Sequence, residues 1–353
     1  FRVGGEETGE GFYSGRSIKY GGQVMPTAKR KPQIAVVDWK PAPASNSGAE
    51  LEAKVIGAVA VVKYYLADSE ADFTPAILKS DAIILWQNTT VTEATIAKMT
   101  NCRVFIRNGV GYDTVDIAAA ACRGIPVCNV PDYGTEEVAD HAIALAMAQV
   151  RQLFPLNREA MSLGWKLHVK GKLRRLSTLT FGIVGLGRIG TACALRAKAL
   201  GFRVMFYDPY LPSGTQKAVG IKRVDSLAKL LKQADVISLH CPLNEETHYL
   251  IAEKELALMK PTAYLVNTAR GGVIKKKAVL AALRKGIIAG AGLDVIEDEP
   301  LKTKAEARTP NLIATCHAAF CSVEGMIEMR TTSARIAKQA ILGQPLDNVV
   351  NGL

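Results

Sequence analysis

The chain has 353 residues, 48% hydrophobic and 22% charged, which excludes disordered, collagen-like and disulfide-scaffold classes for its bulk and suggests two domains of about 100 to 200 residues each. Lys and Arg (44) exceed Asp and Glu (33) by 11, but the densest basic stretches, Lys166 to Arg175 and Lys275 to Lys277, lack the interleaved aromatics of a single-strand binder, so an anionic small molecule is favoured over nucleic acid as the partner. The longest apolar run, Ala142 to Ala148, is too short for a membrane span, and the seven cysteines include no C-x-x-C pair, which disfavours a zinc site and points to a reducing, cytoplasmic compartment.

Residues 1–30 are Gly-rich and polar, without the apolar core of a secretory signal, and read as a flexible tail. From Pro32 the apolar runs QIAVVDW, AVVKYY, AIILW, RVFIRN and IPVCNVP alternate with helix-like stretches such as Glu93 to Met99, the pattern of a parallel α/β sheet. TEEVADHAIALAMAQVRQL then reads as one long helix starting at Thr135, a candidate hinge between domains. After Thr180 come TFGIVG, FRVMFYD, DVISLHC, AYLVNT, AGAGLDVI and NLIATC, six apolar strands that predict a second doubly wound sheet. A last helix, about Ser322 to Leu342, is placed to return to the first domain.

Gly185, Gly187 and Gly190 form a G-x-G-x-x-G set between an apolar strand and a helix, with Asp208 closing the next strand. In that context the glycines permit a tight turn, approach of a pyrophosphate and close helix packing, while the helix N-terminus offers free N–H groups and Arg188 a charge. Asp208 is placed to accept from ribose hydroxyls and to repel a 2′-phosphate, so NAD is favoured over NADP; Tyr207, Pro209 and Tyr210 beside it offer no cation.

Polar residues gather beyond the later strands in NTARGG, GLDVIEDEP and TCHAAF. Arg270 could fork onto a carboxylate, and His317 with Glu299 could make an acid–base pair. Taken singly, each has an ordinary alternative: a structural ion pair for Arg270, a satisfied buried histidine for His317, a turn residue before Pro300 for Glu299. His141, His168, His240 and His248 have no metal-like spacing and are assigned no chemistry.

Together GLGRIG with Asp208, NTARGG, GLDVIEDEP and HAAF resemble the D-isomer-specific 2-hydroxyacid dehydrogenase family, and RAKALGFRVMFYDPYL, HCPLNEETHYLI and IEMRTTSARIAKQAI most resemble its C-terminal binding protein branch; the likeness runs from about Cys102 to Leu342. The resemblance implies two Rossmann-like doubly wound parallel-sheet domains: a flavodoxin-like substrate domain (31–132 plus 322–353) with an inserted NAD-binding domain (133–321). It implies His317 as proton donor and acceptor, Glu299 as its partner and Arg270 as anchor of a 2-oxo acid. Gly185, Leu186, Gly187, Arg188, Ile189, Gly190 and Asp208, with Cys241, Pro242, Leu243, Thr247, Thr268 and Ala269, would hold the cofactor, and Asp294 would lie near the nicotinamide carboxamide. Gly109, Val110 and Gly111 would offer backbone N–H groups to the substrate, with Phe320 as a pocket wall where the branch carries tryptophan. Asp132, Tyr133 and Cys316 also depart from the branch. The implied activity is NAD-dependent interconversion of small 2-oxo and 2-hydroxy acids by a homodimer; the alternative the resemblance carries is an NAD-sensing transcriptional co-repressor, with peptide partners and a nuclear location.

Overall fold

A computed structural model describes residues 30–40, 48–86, 89–165 and 173–353. Residues 1–29 of the tail, most of the loop that follows the first strand, and Lys166, Lys170 and Lys172 of the basic stretch lie outside the described residues. From Pro32 onward the chain folds around two sheets in which every pair of neighbouring strands is parallel.

The first sheet contains β1 (Gln33–Asp38), β2 (Val61–Leu66), β3 (Ala82–Leu85), β4 (Val104–Arg107) and β5 (Val127–Cys128), in the order β2-β1-β3-β4-β5. The middle residues of its inner strands, IAVV of β1, AIIL of β3 and VFI of β4, are apolar without interruption because both faces are covered. Ile34, Val36, Ile84 and Ile106 pack on one face against Met329, Ile336 and Ala337 of the last helix, Val323–Leu342. Ala35, Val37, Ile83, Leu85 and Phe105 meet Ile77, Ile96 and Met99 on the other. Each such Ile, Leu or Phe contributes about 1.5–3 kcal/mol by leaving water.

The last helix starts where Ser322 Oγ accepts the Gly325 N–H at 2.8 Å and stops at Gly343, in the left-handed region at φ 68°. It is pinned to the helix Glu50–Ile56 by a forked pair from Arg330 to the fully buried Glu52, at 2.7 and 2.6 Å. Removing one partner of such a buried pair costs about 3–5 kcal/mol.

The second sheet contains β6 (Thr180–Val184), β7 (Arg203–Tyr207), β8 (Lys222–Arg223), β9 (Val236–Leu239), β10 (Tyr264–Asn267), β11 (Gly290–Leu293) and β12 (Leu312–Ala314), in the order β12-β11-β10-β9-β6-β7-β8. Strand β8 is two polar residues long and escapes an apolar-run reading. The strand order reverses between β6 and β9, the point where open α/β sheets take ligands.

The helix read from Thr135 to Leu153 runs as Thr135–Val150, and a second helix, Leu153–Met161, follows it. They are divided at Gln152, whose backbone is left-handed at φ 54° and whose amide donates to Gln149 O and Tyr264 Oη. The first of the two lies on β10 and β11, and the Gln149 amide donates to Ala291 O at 2.7 Å and Asn311 O at 3.1 Å. Among the described residues no helix is long and apolar enough to cross a membrane.

Candidate active site

A cavity of about 550 Å³ opens beyond the carboxyl ends of both sheets, with Arg107, Gly111 and Tyr133 on one side and Arg188, Arg270 and His317 on the other. On the β6 side, the glycine turn is built by close approach. A Cβ on Gly190 would sit 2.0 Å from Gly185 O, and Gly185, at φ 86°, would place one 2.9 Å from Cys241 N, whereas Gly187 faces open space. The helix Arg188–Ala199 that follows has no side-chain cap at its N-terminus. These features fit a dinucleotide's pyrophosphate, which needs backbone N–H groups and room beside the middle glycine.

Asp208 sits at the end of β7, where Oδ2 accepts the Leu186 N–H at 2.9 Å and Oδ1 the Tyr210 N–H at 3.0 Å. No cation neighbours Asp208 in sequence, but β8 brings Arg223 onto its backbone carbonyl at 2.6 Å, with the same guanidinium also donating to Leu211 O and Pro212 O. Ile189, Pro242, Leu243, Thr268 and Ala269 line the cavity. Burial pushes the Cys241 thiol up to about 11. The Thr247 hydroxyl donates to Pro242 O at 2.6 Å within its own turn.

His317 and Glu299 come together: Nδ1 lies 3.0 Å from Glu299 Oε2. His317 follows β12 with φ 54°, a left-handed conformation that costs a non-glycine residue about 1 kcal/mol or more. Asp294 supplies the compensation. Its carboxylate, 3% exposed at the end of β11, accepts the N–H groups of Ala318 (3.0 Å) and Ala319 (2.9 Å) and the Thr315 hydroxyl (2.5 Å), while its backbone carbonyl accepts the His317 N–H. Asp294 lines the cavity as well, but its direct partners are the residues of the histidine loop. His141, given no chemistry by spacing, reaches the same knot with Nε2 3.0 Å from Thr315 Oγ1.

Arg270 crosses the cleft, where Nε donates to Asp113 Oδ1 at 3.0 Å and Nη1 to its neighbour Ala269 O. A Cβ on Gly111 would lie 1.4 Å from Arg270 Nη2, so only glycine lets the guanidinium rest there. Burial works to raise the Asp113 carboxyl, but the Arg270 guanidinium and its hydrogen bond outweigh it and hold the group below the usual carboxylate range. Val110 lines the cavity too, whereas Gly109, at φ 149°, packs against the Arg107 side chain.

Three cavity residues were not singled out for chemistry from sequence. Arg107, at the end of β4, is 6% exposed; Nη1 donates to Asn108 O while Nε has no partner. Burial, then the nearby Arg270 charge, lowers its pKa to about 10. Tyr133 is raised to about 12 by burial, opposed by Arg107 and Arg270. His240 is held by Ser238 Oγ at 2.8 Å, with Nδ1 unpartnered, and burial lowers it to about 4. Phe320 meets both sides of the site edge-on, its ring 6.3 Å from Tyr133 and 6.2 Å from His317.

Residues 143–319 match the family model described as D-isomer specific 2-hydroxyacid dehydrogenase, NAD binding domain. The chain is 41% identical over 253 residues to a glyoxylate reductase of Korarchaeum cryptofilum, covering 70% of this chain and 76% of that protein. It is 35% identical over 298 residues to a D-3-phosphoglycerate dehydrogenase of Methanocaldococcus jannaschii, covering 84% of this chain but only 57% of that protein. Among solved structures, a D-lactate dehydrogenase from Aquifex aeolicus complexed with NAD and lactic acid superposes with a TM-score of 0.81 at 28% identity, over 91% of this chain and 99% of that one. An NADPH-dependent glyoxylate/hydroxypyruvate reductase from Sinorhizobium meliloti, in complex with NADP and malonate, does so at 0.77 and 27% identity, over 91% and 97%.

Proposed function

The chain belongs to the D-isomer-specific 2-hydroxyacid dehydrogenase family, and on that premise we propose that it interconverts a 2-oxo acid and its 2-hydroxy acid with NAD(H). The observation that carries this reading is the His317–Glu299 pair at 3.0 Å, facing the same cavity as Arg270 and the glycine turn. We assign residues 31–132 with 322–353 to the substrate domain and 133–321 to the NAD domain.

The bound nicotinamide supplies or takes up the hydride at C2. With Glu299 holding Nδ1, the Nε2 face of His317 is the one that gives its proton to the carbonyl oxygen in reduction and takes it back in oxidation, help of about 10²- to 10⁴-fold. Arg270 receives the substrate carboxylate and steadies charge developing on the oxygen. Phe320 and Tyr133 form an aromatic wall that admits a side chain larger than that of glyoxylate or pyruvate.

Asp208 favours NAD over NADP, because its carboxylate repels a 2′-phosphate and Arg223 is already engaged by three carbonyl oxygens. A homodimer is supported by the exposed side chains of Phe154, Met161, Leu163 and Trp165, which follow one another along and after the helix Leu153–Met161.

The test is oxidation of NADH, and separately NADPH, with glyoxylate, hydroxypyruvate, pyruvate and phenylpyruvate. Turnover with NADH well above NADPH is expected. No turnover on any acid, with NADH bound, would overturn the reaction; equal use of NADPH would overturn the role of Asp208.

A further inference from the structure

Arg188, expected from sequence to add charge at the pyrophosphate, and Arg270, proposed to receive the substrate carboxylate, are both paired with aspartates of the facing wall. Arg188, first residue of the helix that follows the glycine turn, places Nε 2.6 Å from Asp132 Oδ1. Arg270 places Nε 3.0 Å from Asp113 Oδ1. The arrangement repeats with the same polarity. Each arginine follows a strand of the second sheet, β6 or β10, and each aspartate follows a strand of the first, β4 or β5. In both pairs the carboxylate takes the Nε edge, one of those a phosphate or carboxylate would use for a forked contact.

The geometry at Arg270 goes further. Its Nη2 rests where a Gly111 side chain would be, so the guanidinium covers the loop backbone expected to meet the substrate. The Arg188–Asp132 pair is open to water, its side chains 63% and 65% exposed, and an exposed pair of this kind is weak. A doubly charged pyrophosphate can displace it.

We propose that Asp132 and Asp113 are built-in counter-ions for Arg188 and Arg270, each exchanged for a ligand anion when cofactor and substrate bind. This rests on the cofactor and substrate assignment above. The aspartates keep two cationic side chains placed and neutralised, at the expense of ligand affinity, because the ligand must break a pair before it makes one.

The experiment is calorimetric titration of the full chain with ADP-ribose, which carries the pyrophosphate, and adenosine, which does not. Asp132→Asn should tighten ADP-ribose about two- to fivefold and leave adenosine unchanged; in an Arg188→Gln background the same substitution should have no effect. With NADH saturating, Asp113→Asn should tighten the carboxylate inhibitor oxamate about fivefold, with KM for the 2-oxo acid falling by a similar factor. The inference stands only if both variants tighten. Unchanged or weaker ADP-ribose binding, an equal gain for adenosine, or weaker oxamate together with a fall in kcat would each overturn it, the last by making Asp113 a positioning residue for Arg270. Failure of the unaltered protein to bind NADH and ADP-ribose would be a different result, overturning the cofactor assignment and this inference with it.

Discussion

On the wall that follows the second sheet, His317, Glu299 and Asp294 are joined by hydrogen bonds among neighbouring strand ends, so the acid–base pair proposed above is complete within that half of the cleft. On the facing wall, Arg107, Asp113 and Tyr133 present charge and shape, and one of their main partners, Arg270, comes from across the gap. The contrast separates two tasks. Proton transfer needs groups fixed to within a fraction of an ångström, which one rigid sheet can supply; recognition of an anion tolerates partners assembled across a cleft.

The largest expected effect breaks the chemical wall. His317→Ala should lower kcat by about 10²- to 10⁴-fold while leaving NADH binding within a few fold, by stopped-flow turnover and fluorescence titration; a fully active variant would remove His317 from the mechanism. The recognition wall should answer differently. Arg107→Met, which keeps the bulk but removes the buried charge, should raise KM for the 2-oxo acid about tenfold, with the smaller change in kcat. A larger loss in kcat than in KM would erase the division between the walls.

The smallest effect sharpens the comparison through stability. Burial lowers His240 from its ordinary 6.5 to about 4, so between those values the unfolded chain takes up a proton that the folded chain refuses. Stability should be full above about pH 6.5 and fall as pH drops toward 4. His240→Asn should flatten that part of the slope in thermal midpoints collected across the range, and an unchanged slope would show that other groups set it.

The strands were legible because runs such as AIIL, buried on both faces, are apolar throughout. Two features were hidden: β8, whose two polar residues carry no pattern, and the break at Gln152, a residue type with no preference for the left-handed region it occupies. Within the site, Glu299 and His317 could be paired on paper because each stands just past an apolar strand. Asp113 and Arg270 are 157 residues apart and meet only through the packing of two sheets. Arg107 looked like the polar end of a strand, and nothing in RVFIRN says that its guanidinium is buried and faces a cavity.

The chain passes between the two halves twice, once near Tyr133 and again near Phe320, and the two passages touch: the rings meet edge-on and the Ser322 hydroxyl donates to Glu137 at 2.6 Å. A body tied to another by one tether can swing in any direction, but two adjacent tethers leave chiefly rotation about the line through them. That line runs beside Phe320, whose ring is 6.2 Å from that of His317. Displacement under rotation grows with distance from the axis, so the residues beside the two passages, Asp132 next to Tyr133 and His317 next to Phe320, are the ones that move least.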